Sequence, residues 1–355
     1  MDQEQAEVIQ KRSAWASLAR LSRRVWRRYP FDPVFTFCAP TWHRKMNPAP
    51  PFEMVCGMNA FLGAVIDGIL YSAWLFIIAV GLTLIYGVMK ILNMAHGTFY
   101  AIGAYMSVTL LGYWFSQGLP PVGSIPVMIV AALFAGTVVG LVIERGVLRF
   151  FAGRDPIVLL LVTYALFLIL EDVVKLIWGV DPWIASDPVW AFGNVYLGPL
   201  VYPTYNLFIF VVAIVSGGLL TWFLHFTAKG KMLRAVIHDP DVSQAMGINV
   251  SRWSVSAFVV GSILATLGGA FTAPTISVVP GMGVEVIVMM FAVVVIGGLG
   301  SIPGTIVGAV IVGFVRSLAV HYWPQVEVFS IYAVMALVLA VRPQGLFSGV
   351  ELRKI

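Results

Sequence analysis

Three short segments of an otherwise apolar chain carry the side chains that could act on a solute or on a partner. The first is segment 91–97 (ILNMAHG), where Asn93 and His96 interrupt two apolar stretches. Polar side chains at membrane depth are candidates for a transport path, because burying them there is costly. Asn93 could instead close the turn at the start of a helix. We favour a translocation path or gate that contains Asn93, His96 and Gly97.

The second segment is the loop 229–253, whose residues predict a short helix with defined ends. Asp239 suits the capping position, Pro240 suits the first helical position, and Asp241 adds favourable negative charge in the first turn. Gly247 can adopt the left-handed conformation that ends a helix. A helix of about two turns is not stable alone in water. Either the ends of neighbouring helices or a docking partner must hold it, and these features leave both open.

The third segment is 293–305 (VVVIGGLGSIPGT), a glycine-rich stretch between two apolar runs. A phosphate-binding loop would need a Gly-Lys-Ser/Thr ending and a preceding strand, and this segment has neither. The sequence therefore predicts a tight structural turn between two helices, made by Gly297, Gly298, Gly300, Pro303 and Gly304.

The motifs of common catalytic and metal sites are missing from the sequence. It contains no nucleotide-binding G-x-x-x-x-G-K-[ST] and no H-E-x-x-H, and its five histidines lack ligand spacing. We therefore expect no catalytic residue, no metal and no cofactor. The ionisable residues near the apolar runs are too few and too peripheral for a proton relay, which weakens a secondary transporter without excluding it: Asp67, Glu171, Asp172, Lys175, Glu285 and Arg316.

The composition excludes most classes of soluble protein. Of the 355 residues, 59% are hydrophobic and 11% are charged, whereas soluble domains carry roughly 25% charged residues. Only a bilayer accommodates so apolar a chain. The runs without charge predict an all-α, polytopic integral membrane protein with about eight or nine transmembrane helices, near 61–86, 96–116, 124–146, 157–178, 205–228, 254–276, 284–299, 303–321 and 327–342.

Three parts are expected along the chain: a basic tail over 1–57, a transmembrane domain over 58–348 and a short cytosolic tail over 349–355. Residues 1–52 hold nine Lys and Arg against four Asp and Glu, and the charges of the remaining chain cancel. The basic tail is either an amphipathic helix on an anionic leaflet or a disordered extension. Lipid is thus its expected partner, and nucleic acid is not.

The basic residues beyond the tail set the orientation. Ten of these 13 fall in three groups separated by even numbers of predicted spans, so all three face the cytosol. The groups are Arg145/Arg149/Arg154, Lys229/Lys231/Arg234/Arg252 and Arg342/Arg353/Lys354. Three spans before the first group would place the basic tail outside, against its own charge. Either one early helix is re-entrant or split, or the tail is an exception to the charge rule; we favour a cytosolic tail and a broken early helix.

Four stretches together resemble the permease subunits of bacterial ABC importers for branched-chain amino acids and related amides, most closely the LivH type. GLTLIYGVMKILNMAHGTFYAIGAY (81–105) resembles the first signature of that family, and RAVIHDPDVSQAMGINVSR (234–252) resembles its coupling loop. Residues 280–314 and VRPQGLF (341–347) resemble the C-terminal signatures of the same family. The resemblance covers roughly residues 58–348 in order, and the combination is specific although each stretch alone is moderate.

The resemblance implies a permease of the bacterial inner membrane. Its partners would be a second homologous permease, two cytosolic ATP-binding subunits and an external solute-binding protein. It places Asn93, His96 and Gly97 along the path or gate. It also makes the short helix a cytosolic coupling helix that docks on an ATPase subunit, with coupling residues Asp239, Pro240, Asp241, Ala245 and Gly247.

The sequence departs from the family pattern in three places. Thr98 replaces an acidic residue that often follows the His-Gly pair, and Glu171 and Asp172 lie where the family is usually less charged. The basic tail has no recognised counterpart. A stand-alone transporter or channel is the alternative function, and a membrane-embedded enzyme is the third. The substrate stays open among leucine-type amino acids, urea, short amides and aromatic acids.

Overall fold

The structure is a computed structural model that describes residues 50–151, 153–198 and 200–347, with side chains from residue 59 onwards. The expected amphipathic helix of the basic tail and the short C-terminal tail lie outside the described residues. The first helix contributes Asn59–Met89 to the main body of the chain.

The described part of the chain consists of helices and one small hairpin. The helices are α1 (Pro50–Met89), α2 (His96–Ser116), α3 (Ser124–Gly146), α4 (Pro156–Trp178), α5 (Asp187–Ala191), α6 (Thr204–Phe226), α7 (Ala228–His238), α8 (Pro240–Ala245), α9 (Val250–Thr272), α10 (Met282–Gly297), α11 (Ile302–Tyr322) and α12 (Glu327–Val341). The strands β1 (Asn194–Leu197) and β2 (Leu200–Pro203) pair in an antiparallel hairpin within the segment before α6.

The nine long predicted helices are confirmed, with bounds that agree to within a few residues except at the start of α1. Charge-free runs identify them because a spanning helix must satisfy its backbone internally and face lipid with apolar side chains. Seven helices of the described part are long and apolar enough to cross a membrane: Asn59–Met89, Pro121–Phe151, Pro156–Trp178, Thr204–Phe226, Val250–Thr272, Ile302–Tyr322 and Pro324–Val341. The helices α2 and α10 fall outside this set, and α10 has only 16 residues.

Small residues let the helices approach closely at the centre of the bundle. A Cβ atom on Gly136 of α3 would lie 2.5 Å from the Ile263 Cα of α9. In the same way, Gly308 of α11 lies against the Val293 carbonyl of α10. Both belong to the Gly-x-x-x-Gly patterns that the sequence contains, and such patterns allow helix backbones to meet in lipid. At these two crossings the helices therefore meet backbone to backbone.

Contacts along α1 set the direction of the first crossing. Near its start, the Ala64 carbonyl accepts a hydrogen bond from Ser317 Oγ (2.7 Å), close to the C-terminal end of α11. Near its other end, Gly87 lies beside Gly300, just before α11 begins. The helices α1 and α11 therefore run antiparallel, and α1 crosses the whole bundle.

This direction shows where the predicted early break lies. The chain is indeed broken early, over residues 90–95, but the break follows a complete crossing by α1. Three traverses therefore still precede Arg145, and residue 59 lies at the end of the bundle opposite to the basic groups. A break after a full span does not change the number of crossings, so the early break does not bring residue 59 to the side of the basic groups; the basic tail itself lies outside the described residues.

Candidate translocation and coupling site

The break between α1 and α2 begins at Lys90, a residue with left-handed backbone (φ 55°). Three residues later, Asn93 closes a turn: its Oδ1 accepts a hydrogen bond from the Ala95 amide (3.1 Å) and its carbonyl accepts one from the His96 amide (3.3 Å). Asn93 is wholly buried, and its Nδ2 has no hydrogen-bond partner among the described residues. The turn-closing geometry that the sequence offered as an alternative is therefore present, with one donor left over.

His96, the first residue of α2, is fully buried inside the bundle. Its Nε2 lies 3.3 Å from the carbonyl oxygen of Ile78, and its ring meets the Phe99 ring edge-on at 5.8 Å. Ile78 precedes the end of α1 at Met89 by eleven residues, about 16 Å along a helix. The helix α2 therefore starts deep within the bundle, and the described residues offer no partner to His96 Nδ1.

Gly97 brings the starts of two interrupted helices together. A Cβ atom on Gly97 would overlap the Gly283 carbonyl of α10, and one on Gly283 would lie 2.8 Å from the Gly97 carbonyl oxygen. At the same place, Glu171 Oε2 of α4 accepts a hydrogen bond from the Gly281 amide (3.0 Å). A carboxylate at a helix N-terminus satisfies free amides and interacts favourably with the helix dipole. The charge that sequence reasoning treated as peripheral thus fixes the start of α10.

These contacts define what we call the central seal: Asn93, His96 and Gly97 packed against Ile78, Glu171 and Gly283. Asn93, His96 and Gly97 are buried, and Glu171 is 6% exposed. Interrupted helices with buried polar groups at membrane depth are typical of transport sites. In this structure Asn93, His96 and Glu171 are enclosed by packed protein, and each keeps one polar atom without a hydrogen-bond partner among the described residues.

Residues 234–252, which we call the coupling segment after the role that the resemblance implies, contain a short helix with the ends that their sequence predicts. Asp239 Oδ1 accepts a hydrogen bond from the Val242 amide (3.0 Å), Pro240 is the first residue of α8, and Gly247 has a left-handed backbone (φ 84°). The Ile248 amide donates to a carbonyl of the last helical turn (3.0 Å). The segment therefore contains a short helix with a cap at each end.

The helix α8 rests on its own chain along one side and exposes the other. Ser243 is 3% exposed, whereas Val242 is 55% and Met246 is 78% exposed. Ala245 and Asp241 are exposed on the same short helix. The preceding helix α7 is held by buried Leu233 and Val236. Neighbouring helix ends therefore support α8 on one side. The other side is an apolar surface that nothing in the described chain covers, so it remains free for a docking partner.

A direct contact joins the coupling segment to the break. Lys90 Nζ donates a hydrogen bond to the Ile237 carbonyl at the C-terminal end of α7 (3.4 Å). A positive charge at a helix C-terminus is favourable, although burial lowers the pKa of this ammonium below its ordinary value. Gly87, three residues before Lys90, lies near both Ile237 and Gly300. The end of α1, the end of α7 and the turn before α11 thus meet at one point.

The glycine-rich segment forms the predicted structural turn. Gly298 and Gly300 have positive φ angles of 106° and 81°, and Ser301 Oγ accepts a hydrogen bond from the Gly304 amide (3.1 Å). Gly297 and Gly304 touch backbone to backbone, with Pro303 in the first turn of α11. The amides of Leu346 and Phe347 donate to the carbonyls of Ile296 and Gly297. The segment packs helix ends and C-terminal backbone, which is a structural role.

A cavity of about 500 Å³, which was not predicted, lies at the opposite end of the bundle. We call it the outer cavity, and it is lined by charged, aromatic and apolar side chains from α1, α2, α6, α9, α10, α11 and the segment that follows α9. Its charged members come from residues far apart in the sequence, and the only pattern that hints at them is the helical spacing of Asp67, Tyr71 and Trp74 on α1. The members that matter below are Asp67, Tyr71, Trp74, Tyr100, Glu285 and Arg316.

Interrupted helices around buried polar groups, within a bundle of apolar spans, define this chain as a polytopic membrane permease. It belongs to the family of permease components of the branched-chain amino acid transport system, which it matches over residues 64–341.

Several relatives are similar over most of their length. The high-affinity branched-chain amino acid transport system permease protein BraD of Pseudomonas aeruginosa is 27% identical over 306 residues, which cover 83% of this chain and 98% of BraD. The corresponding LivH of Escherichia coli is 28% identical with the same coverage. A probable LivH of Methanocaldococcus jannaschii is 29% identical over 81% of this chain and 92% of its own.

The central seal generates a prediction about Glu171. Replacing Glu171 with Ala removes the acceptor of the Gly281 amide and leaves a buried donor unpaired, which costs about 1–3 kcal/mol. Glu171→Gln keeps an acceptor and should recover much of that loss. We expect the melting temperature of the purified permease to fall clearly for Glu171→Ala and less for Glu171→Gln.

The neighbouring Asp172 provides the control. Its side chain is 73% exposed and, within the described part of the chain, pairs only with Lys175 at the surface. Exposed ion pairs contribute little to stability. Asp172→Ala should therefore leave the melting temperature almost unchanged. Equal melting temperatures for Glu171→Ala and Asp172→Ala would show that Glu171 does not anchor α10.

Proposed function

We propose that this chain is a membrane-spanning subunit of an ABC importer for branched-chain amino acids. It forms part of the translocation path in the cytoplasmic membrane and does not hydrolyse ATP itself. A second homologous permease, two cytosolic ATP-binding subunits and an external solute-binding protein complete the importer. Membership of the permease family over residues 64–341 carries this proposal, and the names of the relatives support the substrate class. It also favours an importer subunit over a stand-alone transporter.

The helix α8 is the part of the chain that meets an ATP-binding subunit. Its exposed side chains Val242, Ala245 and Met246 form a small apolar surface, and an exposed apolar surface on a short, capped helix suits a groove in a partner. Asp239 and Asp241 flank that surface with negative charge. The proposed partner surface is therefore an apolar groove with basic residues at its rim.

The contact of Lys90 with Ile237 gives this docking a route into the bundle. When the two ATP-binding subunits close, α8 and the end of α7 move with them. Lys90 and the end of α1 then follow, because Lys90 is hydrogen-bonded to α7 and Gly87 packs against the same point. The chain between Lys90 and His96 is not helical, so it can change its backbone angles without breaking a regular helix.

The central seal is the gate on which this motion acts. Asn93 and His96 belong to the non-helical segment or lie directly beside it, and both carry polar atoms that are unpaired in the closed arrangement. Displacement of this segment away from Ile78 and Gly283 opens a polar passage where the closed state has packed atoms. Alternating access then follows from two arrangements of the same contacts.

Uptake into vesicles tests the proposed function. The complete importer should accumulate radiolabelled L-leucine only with ATP on the cytosolic side and the binding protein on the external side. Vesicles with the permease alone, under an imposed proton or sodium gradient, should show no accumulation. Gradient-driven uptake by the permease alone would instead establish the stand-alone transporter.

Charge reversal on α8 should uncouple the importer. We expect the double variant Asp239→Lys/Asp241→Lys, and separately Gly247→Pro, to abolish transport and co-purification of the ATP-binding subunits while membrane insertion is kept. The reversal removes a helix cap and repels a basic groove rim, and Gly247 has a left-handed backbone that proline cannot adopt.

Asp181→Lys, on the opposite face of the membrane, is the matched control and should retain both transport and co-purification. Undiminished co-purification of the ATP-binding subunits with the Asp239→Lys/Asp241→Lys variant would show that α8 is not the docking element.

Removing the His96 imidazole from the central seal should impair transport without releasing the ATP-binding subunits. For His96→Leu we expect leucine uptake to fall at least about tenfold, which corresponds to the loss of one buried polar contact. The ATP-binding subunits should still co-purify. His225→Leu, an exposed histidine on α6, is the control. Wild-type leucine uptake by His96→Leu would show that His96 only begins α2 and has no part in transport.

A further inference from the structure

We propose that the outer cavity is a binding site for the charged head group of an α-amino acid with an apolar side chain, ahead of the central seal. The inference rests on the proposed function and adds a location and a chemical selectivity to it. It concerns a site within this one chain, which would receive the solute after the binding protein releases it.

Arg316 supplies the group that recognises a carboxylate. Its guanidinium lies 4.1 Å from the centroid of the Tyr71 ring and pairs with Glu327 through Nη2. A guanidinium has five N–H donors in a rigid fork, and the Arg316 side chain remains 28% exposed. The aromatic ring and Glu327 fix its orientation, and donors are left for a second carboxylate. A fixed arginine with spare donors is suited to that task.

Acidic side chains on the same cavity can hold an ammonium group. Glu285 lines the cavity, is exposed and forms no ion pair among the described residues. Asp67 Oδ2 lies 3.4 Å from His321 Nε2, and the Asp67 side chain is 43% exposed. Arg316 is already paired with Glu327, so the cavity has a negative balance. Such a balance favours a ligand with an amino group, and the arginine adds a requirement for a carboxylate.

The inner part of the cavity is aromatic and apolar. Trp74 donates a hydrogen bond to Thr272 Oγ1 (2.6 Å), and its ring meets Tyr100 edge-on at 6.1 Å. Tyr100 is wholly buried, and its hydroxyl has no hydrogen-bond partner within the described chain. Ile209, Met282 and other apolar side chains complete the wall. A branched aliphatic side chain would be desolvated here while its head group stays at the charged rim.

The floor of the cavity adjoins the central seal. Trp74 precedes Ile78 by one helical turn on α1, and Tyr100 follows His96 by one turn on α2. His96 and Ile78 are the two residues joined across the seal. A ligand on the floor is therefore one turn of helix away from the proposed gate, on its external side. The cavity and the gate form one route.

This geometry discriminates among the substrates that the sequence left open. A zwitterion with an aliphatic side chain can satisfy Arg316, Glu285 and the apolar floor at once. Urea and short amides carry no charge that could pair with Arg316 or with the acidic side chains. An aromatic acid without an amino group could pair with Arg316 but not with the acidic side chains. A ligand that lacks one of these charged groups loses a charge-assisted contact and therefore binds more weakly. The cavity therefore selects an amino acid.

Equilibrium binding to the complete importer in nanodiscs, without the binding protein, tests the inference. Radiolabelled L-leucine is the probe, and three unlabelled compounds compete with it. Leucinamide lacks the carboxylate, 4-methylpentanoate lacks the amino group, and urea lacks both charges and the side chain. We expect saturable leucine binding. The first two analogues should compete at least about tenfold less well, since each loses one charged contact. Urea should not compete.

Variants assign each contact to its side chain. Arg316→Gln/Glu327→Gln removes both partners of the ion pair, so it leaves no lone charge, and Arg316→Lys keeps the charge. We expect the double variant to bind leucine about tenfold more weakly and to bind leucinamide with unchanged affinity. Glu285→Gln should weaken leucine and leucinamide and spare 4-methylpentanoate. Arg342→Gln, exposed at the far end of α12, is the matched control and should change nothing.

Three results would overturn the inference: leucinamide binding as well as leucine, unchanged leucine binding in the Arg316 and Glu285 variants, or no saturable binding to the assembled importer. Failure of the inference is distinguishable from failure of the proposed function. If ATP-driven leucine uptake proceeds and the cavity variants leave it unchanged, only the binding site is refuted. If the complete importer does not take up leucine at all, the proposed function itself is refuted.

Discussion

Unpaired backbone groups cannot be left in lipid, and this constraint governs the centre of the molecule. A helix that starts inside a membrane exposes free amides, each costly unless protein supplies acceptors. Here α2 and α10 both start inside the bundle, and Asn93 and Glu171 supply the acceptors. Gly97 and Gly283 let the two starts touch. Because both interruptions are sealed at one place, a small displacement there affects both helices together.

The same constraint explains how distant parts of the chain can act together. The coupling segment contacts the break through Lys90 and Ile237, and the break leads directly into the central seal. On the other side of the seal, α1 and α2 continue as the floor of the outer cavity through Trp74 and Tyr100. One rigid helix, α1, therefore borders every functional region. Rigid elements joined by non-helical segments are the usual means by which a domain motion is transmitted.

Much of this architecture follows from local sequence, and the rest does not. Charge-free runs identify the long helices, and Asp239, Pro240 and Gly247 determine α8, since caps depend on neighbouring residues only. The outer cavity escaped prediction because Asp67, Glu285 and Arg316 meet only after α1, α10 and α11 have packed. Glu171 looked peripheral for the same reason, as its partner Gly281 is far along the chain. The direction of α1 depended on whether the break came before or after a full crossing, which charge counting cannot decide.

We propose that α8 receives force from the ATP-binding subunits, and a site-directed cross-link can detect the contact that this requires. In a full-length chain with Cys38 and Cys56 replaced by serine, Ala245→Cys introduces one thiol on the exposed side of α8. In the assembled importer, we predict that this thiol cross-links to an ATP-binding subunit and that the yield changes between nucleotide-free and ATP-bound states, whereas Asp181→Cys gives no such product. An intact importer in which position 245 never cross-links to an ATP-binding subunit would contradict the account.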